Sequence, residues 1–308
     1  MKWPGRQARR QQIVTALLNF SQAIRPLAGL VTSQEVDALS MQIIASLRRE
    51  EYFRIIQMRG SIAANRADPN DPAFEAEFGI VHFLQAGMID DAAWLIFLMV
   101  YFAKPEVGGW TRLRDVYGRL GNGRWDWATV SANPTQFTTW LGGNWQQIGG
   151  KFGSHRKYES LRPDASRPMG QTVETYVAWV LQGGGHAKQF ASIVHGSGND
   201  PNVIFDAIYR ALPVRGFGRL GRFDWVCMLA RYGLIHARAG SAYLRGATGP
   251  ANGARLLFTN NRKAQVSDAS VQGWLDELDQ ALGVGMEVLE DALCNWQKNP
   301  QRFVHFRG

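Results

Sequence analysis

Between Leu212 and Tyr232 the chain reads LPVRGFGRLGRFDWVCMLARY, a stretch dense in residues able to act on an anion. Leu212-Pro213 leads into glycines at 216 and 218, where a permissive backbone suits a turn, and residues at helical spacing follow. The pattern predicts a hairpin feeding a helix N-terminus, whose free N–H groups and positive dipole end suit a phosphate. Arg219 and Arg222 stand beside that N-terminus. Asp224 adds a carboxylate able to orient or deprotonate a substrate group. The same letters also describe a tight inter-helix turn with solvated arginines and an aspartate that satisfies backbone donors.

A second informative stretch is GGNWQQIGGKFGSHRKYESL, from Gly142 to Leu161. Its glycines let the backbone approach a ligand, and Lys151, His155, Arg156 and Lys157 gather four potential cations in seven residues. Such a group repels itself unless it is hydrated or faces anions, and Glu159 offsets only part of the charge. Anion binding and a solvated loop are both open. Further phosphate candidates are Arg54, in the group Arg48-Arg49-Glu50-Glu51-Tyr52-Phe53-Arg54, and Arg245 and Arg255 around GSAYLRGATGPANGARLLF, which holds Tyr243.

These residues need helices to position them. Apolar spacing predicts helices over about 8–26, 33–59, 72–86, 89–102, 133–141, 171–181, 185–194, 202–212, 267–282 and 284–296. Ser33 is expected to cap the second, with Glu35 favoured in its first turn. Residues 92–103, AAWLIFLMVYFA, read as a buried core helix too short to span a membrane, ended by Lys104-Pro105. His82 beside it reads as packed. No strict strand alternation occurs, so the expected class is all-α. At 308 residues the expectation is one catalytic unit, or two lobes meeting near 162–170. YGRLGNGRWDW from Tyr117 echoes FGRLGRFDW from Phe217, either as two similar corners or by chance in a Gly/Trp/Arg-rich chain.

The net charge of +8, with many arginines, favours a polyanionic partner, and eleven tryptophans suit either a bulky core or base-stacking surfaces. Cys227 and Cys294 read as free thiols of a reducing cytoplasm rather than a disulfide scaffold. HExxH, GxxxxGK[ST] and GxSxG are missing, as is a dense Cys/His set, so metal-independent chemistry is expected. GFGRLG matches GxGxxG by letter but follows no strand pattern. Cations, carboxylates and aromatics remain, a combination suited to reaction at a phosphorylated nucleic-acid group.

The chain resembles the phage α-glutamyl/putrescinyl-thymine pyrophosphorylases, or amino acid:DNA transferases. The stretches that carry the resemblance are YFRIIQMRG from Tyr52, DDAAWLIFLMVYFAKPE from Asp90, HRKYESL from His155, GRFDWVCMLARYGL from Gly221, GSAYLRGATGP from Gly240 and ALCNWQK from Ala292. The resemblance implies a helix-hairpin-helix DNA glycosylase-like fold with additional helices. LPVRGFGRLGRF departs from the Leu-Pro-Gly-x-Gly hairpin of glycosylases in having Val214 and Arg215 before Gly216, and no lysine nucleophile follows it. Both features argue against ordinary base excision. On this reading Arg215, Gly216, Gly218 and Trp225 are the DNA-contact candidates.

The implied reaction is displacement of pyrophosphate from 5-(pyrophosphoryloxymethyl)uracil in double-stranded phage DNA by the amine of an amino acid, glycine as the working choice, or of a polyamine. That amine is a co-substrate. No cofactor, metal or membrane partner is expected, and the implied setting is the cytoplasm of an infected bacterial host. Base flipping would enclose the target methylene. His155, Lys157, Arg156, Lys151, Arg219 and Arg222, with Arg54, Tyr243 and Arg255, are the candidates for handling pyrophosphate, and Asp224 or Glu159 for accepting the proton. A non-catalytic DNA-binding module and a glycosylase acting on a modified base are the alternatives.

Overall fold

A computed structural model describes residues 2–156 and 159–306. It contains α1 (Gln7–Ala23), α2 (Ser33–Gln57), α3 (Ala76–Gln85), α4 (Ile89–Phe102), α5 (Thr111–Tyr117), α6 (Trp127–Ala132) and α7 (Pro134–Asn144). These are followed by α8 (Met169–Gln182), α9 (His186–His195), α10 (Pro201–Ala211), α11 (Arg219–Arg231), α12 (Gly249–Thr259), α13 (Asp268–Leu282) and α14 (Met286–Trp296). Among the described residues there is no strand, only an isolated bridge between Ser160 and Pro168. The fold is all-α, as expected. Among the described residues no helix is long and apolar enough to cross a membrane.

The chain divides into two compact units, one built from residues up to Tyr52 with Ala239–Phe306, the other from Phe53–Arg238. The divisions fall after Tyr52 and Arg238, and residues 162–170 lie inside the second unit.

In the first unit α1 buries Ile13, Leu17 and Phe20, and packs on α13; α12 packs on α13 and α14. The cap of α2 is Thr32 rather than Ser33. Thr32 Oγ1 accepts from Gln34 N at 3.2 Å, and Glu35 Oε2 accepts from Thr32 N at 2.9 Å, a reciprocal capping box. Burial would raise the Glu35 carboxyl, but the hydrogen bonds from Thr32 outweigh it and hold that carboxyl below its ordinary value.

In the second unit α4 runs through the middle, with every residue from Ala92 to Phe102 buried, as a helix apolar on all faces requires. Around it pack α3, α5, α6, α9 and α11. Phe97 stacks on Tyr176 with centroids 3.8 Å apart. Trp225 meets Tyr176, Trp179 and Phe190 edge-on at 5.8–6.1 Å. His82 is packed, as expected, with Nδ1 2.8 Å from Ile62 O.

Candidate active site

The turn that feeds α11 depends on only one of its two glycines. Gly216 has φ +80°, and a Cβ there would lie 2.9 Å from Thr172 Oγ1, so both backbone and space require glycine. Gly218 has φ −74° and ψ −168°, extended backbone open to any residue, with nothing within 4 Å of a Cβ position. The expected turn at Gly218 is therefore corrected: it is the N-cap position of α11. Neighbouring Arg215 is exposed, and its N–H donates to Thr175 Oγ1 at 3.1 Å.

Among the described residues no side chain caps α11, so its first-turn N–H groups keep their affinity for an anion. Arg219 lies 4.8 Å from the Phe223 ring, and Arg222 Nε donates to Phe217 O at 3.3 Å. Tyr209 on α10 sits within the field of both arginines. Its phenol is pushed up by partial burial, and the two charges oppose that shift.

Arg156 joins the second stretch to this helix. A short 3-10 turn, Ser154–Arg156, follows Gly153, whose N–H donates to Phe102 O at 2.9 Å; a Cβ at 153 would meet Ala103 Cβ at 2.6 Å. The turn therefore lies tight against the end of α4. From it Arg156, only 5% exposed, donates from Nε to Val100 O at 3.0 Å and from Nη2 to Asp224 Oδ2 at 2.8 Å. Its guanidinium is 5.9 Å from the Phe217 ring. Arg156 is thus a buried tie, and Asp224 is engaged by its guanidinium.

Glu159 has a different environment. It is partly buried, and burial raises its carboxyl above the ordinary value against the pull of Arg156, Arg167 and the Tyr101 hydroxyl. Tyr101, on α4, is pushed well above its usual range, first by burial and then by the charge of Glu159. Tyr101 OH and Glu159 Oε2 are both sealed from water with no hydrogen-bond partner among the described residues. Met169 N donates to Ser160 O at 3.0 Å, closing the 160–168 loop beside them. Tyr101 and Arg167 were missed by sequence reasoning: one sits in an apolar helix, the other in a polar loop before Pro168. An Arg-Pro pair just ahead of a helix start is the only local signal for the second.

The other candidates are placed as follows. Lys151, His155 and Arg54 are exposed, and Lys157 lies outside the described residues. Trp225 is 0% exposed, so the expected DNA contact is corrected to a core role: its position on α11 points it into the aromatic cluster. Arg255, in the first unit, is ion-paired to Asp268 at 2.6 Å. Tyr243, also there, has φ +47° and donates its N–H to Ser241 Oγ at 3.0 Å. The two echoed segments do not match. Asp126 caps α6 by accepting from Thr129 N at 2.9 Å, whereas Asp224 lies inside α11, and Arg119 and Leu120 are left-handed where Arg219 and Leu220 are helical.

A second buried polar set, also missed, crosses the aromatic core. His186, 0% exposed, places Nδ1 2.6 Å from Asp90 Oδ1 and Nε2 2.8 Å from Tyr176 OH, and Asp90 Oδ1 also accepts from His186 N at 2.9 Å. Burial lowers the His186 imidazole against the opposing pull of Asp90; the hydrogen bond from His186 lowers the Asp90 carboxyl.

Fold and site together define an all-α protein whose second unit carries arginines and partly buried carboxylates beside an aromatic core. A family model described as alpha-glutamyl/putrescinyl thymine pyrophosphorylase clade 3 matches residues 34–308, and the chain belongs to that family. Membership makes it a transferase of thymine hypermodification, with modified-thymine DNA and an amine as substrates. Comparison with curated proteins and with solved structures finds no match.

Proposed function

We propose that the chain transfers the amine of an amino acid onto 5-(pyrophosphoryloxymethyl)uracil in DNA, releasing pyrophosphate, and that glycine is the donor. The amine nitrogen bonds to the exocyclic methylene carbon as its C–O bond breaks, and the electron pair leaves on pyrophosphate. Arg219, Arg222 and the uncapped N-terminus of α11 take up the charge on the leaving oxygen. The proton shed by the new ammonium goes to Glu159. The observation that carries this assignment is the contrast between two carboxylates: Asp224 is engaged by Arg156 at 2.8 Å, while burial raises the carboxyl of the half-buried Glu159. The arrangement of α10, hairpin and α11 supports a helix-hairpin-helix approach to duplex DNA, with Arg215 and the backbone around Gly216 next to phosphates and the target base flipped out.

Incubating the protein with DNA bearing the pyrophosphorylated base, with and without a mixture of amines, tests this reading. Amine-dependent pyrophosphate release and a nucleoside mass increased by glycine support it. Free base would instead indicate a glycosylase, and binding with neither product a recognition module.

A further inference from the structure

The first 34 residues contain Lys2, Arg6, Arg9, Arg10 and Arg25 and not one Asp or Glu. Their countercharges come from later in the first unit. Arg10 pairs with Asp37, Arg25 with Glu277 at 2.8 Å, and Arg6 with both carboxylate oxygens of Glu51, Nη1 donating to Oε1 at 2.8 Å. Among the described residues Arg9 and Arg48 have no carboxylate partner. Arg9 donates to the neutral Gln12 Oε1 at 3.3 Å, and the Arg48 guanidinium lies 4.3 Å from the Trp3 ring.

These groups border one cavity of about 280 Å³, lined by Arg6, Arg9, Ile44, Leu47, Arg48 and Glu51. Glu51 cancels Arg6, so the lining keeps the two charges of Arg9 and Arg48. Ile44, 1% exposed, and Leu47 supply apolar surface, which lowers the local dielectric and strengthens an anion–guanidinium bond. The space is far larger than one water requires. Two uncompensated guanidinium groups from different helices match a phosphate, with its several oxygens, better than a single carboxylate.

We propose that this cavity is a phosphate-binding site, in which Arg9 and Arg48 grip the phosphate oxygens while Glu51 holds Arg6 in place as the third wall. Arg6 and Arg9 precede the residues that the family model matches, and the site does not depend on the transfer reaction. Its ligand is either a free phosphate or the phosphodiester of a nucleic-acid strand.

Arginine-directed labelling of the full chain with phenylglyoxal, read peptide by peptide, tests the site directly. Inorganic phosphate at about ten times its dissociation constant should slow labelling of Arg9 and Arg48 about tenfold. Equal labelling of both with phosphate and with an unmodified oligonucleotide, compared with neither, overturns the proposal. The source is resolved by oligonucleotide binding across a salt series. If the strand is the ligand, each of Arg9→Gln and Arg48→Gln lowers the salt slope by about one. Phosphate protection with an unchanged slope assigns the site to a free phosphate.

Discussion

Arg156 Nη2 donates to Asp224 Oδ2 at 2.8 Å, and the two partners are unequally sheltered, 5% exposed against 28%. The inequality predicts an asymmetric double-mutant cycle. Asp224→Ala leaves a buried guanidinium without countercharge and should cost about 3–5 kcal/mol in urea unfolding. Arg156→Met leaves a carboxylate that water can reach and should cost less. The double variant Arg156→Met/Asp224→Leu should recover most of the loss of Asp224→Ala. Equal single losses with no recovery would contradict this account.

Glu159 gives a prediction that separates catalysis from stability. Its carboxyl is raised by burial, so its stabilising contribution is fully present below the unfolded value of about 4.3 and is lost as pH rises through the folded value. Glu159→Gln removes the titration. The variant should therefore melt above the wild type at neutral pH and lose that advantage near pH 4. If Glu159 takes the proton, the same variant should lower kcat about 10²-fold or more with little change in KM. Asp224→Asn would show the opposite emphasis: lower stability and smaller loss per folded molecule.

The two hairpin glycines should respond differently to alanine. Gly216→Ala places a Cβ at φ +80° and 2.9 Å from Thr172 Oγ1, and should cost about 1–3 kcal/mol. Gly218→Ala meets nothing within 4 Å and should change stability by less than about 0.5 kcal/mol. Chemical denaturation of the two variants side by side decides it. The loss of transfer activity in Gly216→Ala should follow its loss of folded protein.

Local signals in this chain were legible and pairings across the fold were not. Asn133-Pro134 marks the start of α7 because both residues act on their own turn, and Asn133 Oδ1 accepts from Gln136 N at 3.1 Å. The apolar run of α4 announces its burial by having no polar face. Trp225 is different: its spacing fits a helix, but whether it meets solvent depends on which side of α11 packs on α4. Arg156 and Glu159 sit three residues apart in a basic loop. Contacts with Val100 and Asp224 make one a buried tie, and burial, against the pull of Tyr101, raises the carboxyl of the other. The cap at Thr32 instead of Ser33 is a local miss, since Thr-x-x-Glu and Ser-x-Glu overlap in TSQE and only the first is a capping box.

The Trp225 correction can be measured. Trp225→Phe keeps an aromatic ring among Tyr176, Trp179 and Phe190, whereas Trp225→Ala opens a cavity and should cost about 3–5 kcal/mol. A base-stacking role would lower DNA affinity in both variants. A core role predicts that Trp225→Phe binds an oligonucleotide like the wild type, as read by fluorescence anisotropy, while its melting temperature falls moderately.

The Asp90–His186–Tyr176 set predicts the protein's response to acid. Asp90 and His186 both have lowered folded pKa values, through the hydrogen bond from His186 for one and burial for the other. Their stabilising contributions are therefore present above the unfolded values, about 3.9 and 6.5, and are lost as pH falls through the folded ones. Wild-type stability should decline as pH drops below about 6.5, because the unfolded chain takes up the imidazole proton that the folded core refuses. His186→Gln should flatten that decline between pH 4 and 7 while lowering stability at pH 7, since Gln cannot reproduce both contacts of the ring. Asp90→Ala leaves the buried Nδ1 and the first N–H of α9 without their acceptor and should cost about 1–3 kcal/mol at neutral pH. Urea midpoints for the three proteins across that range test the assignment. A steep acid loss retained in His186→Gln would place the sensitivity on other groups.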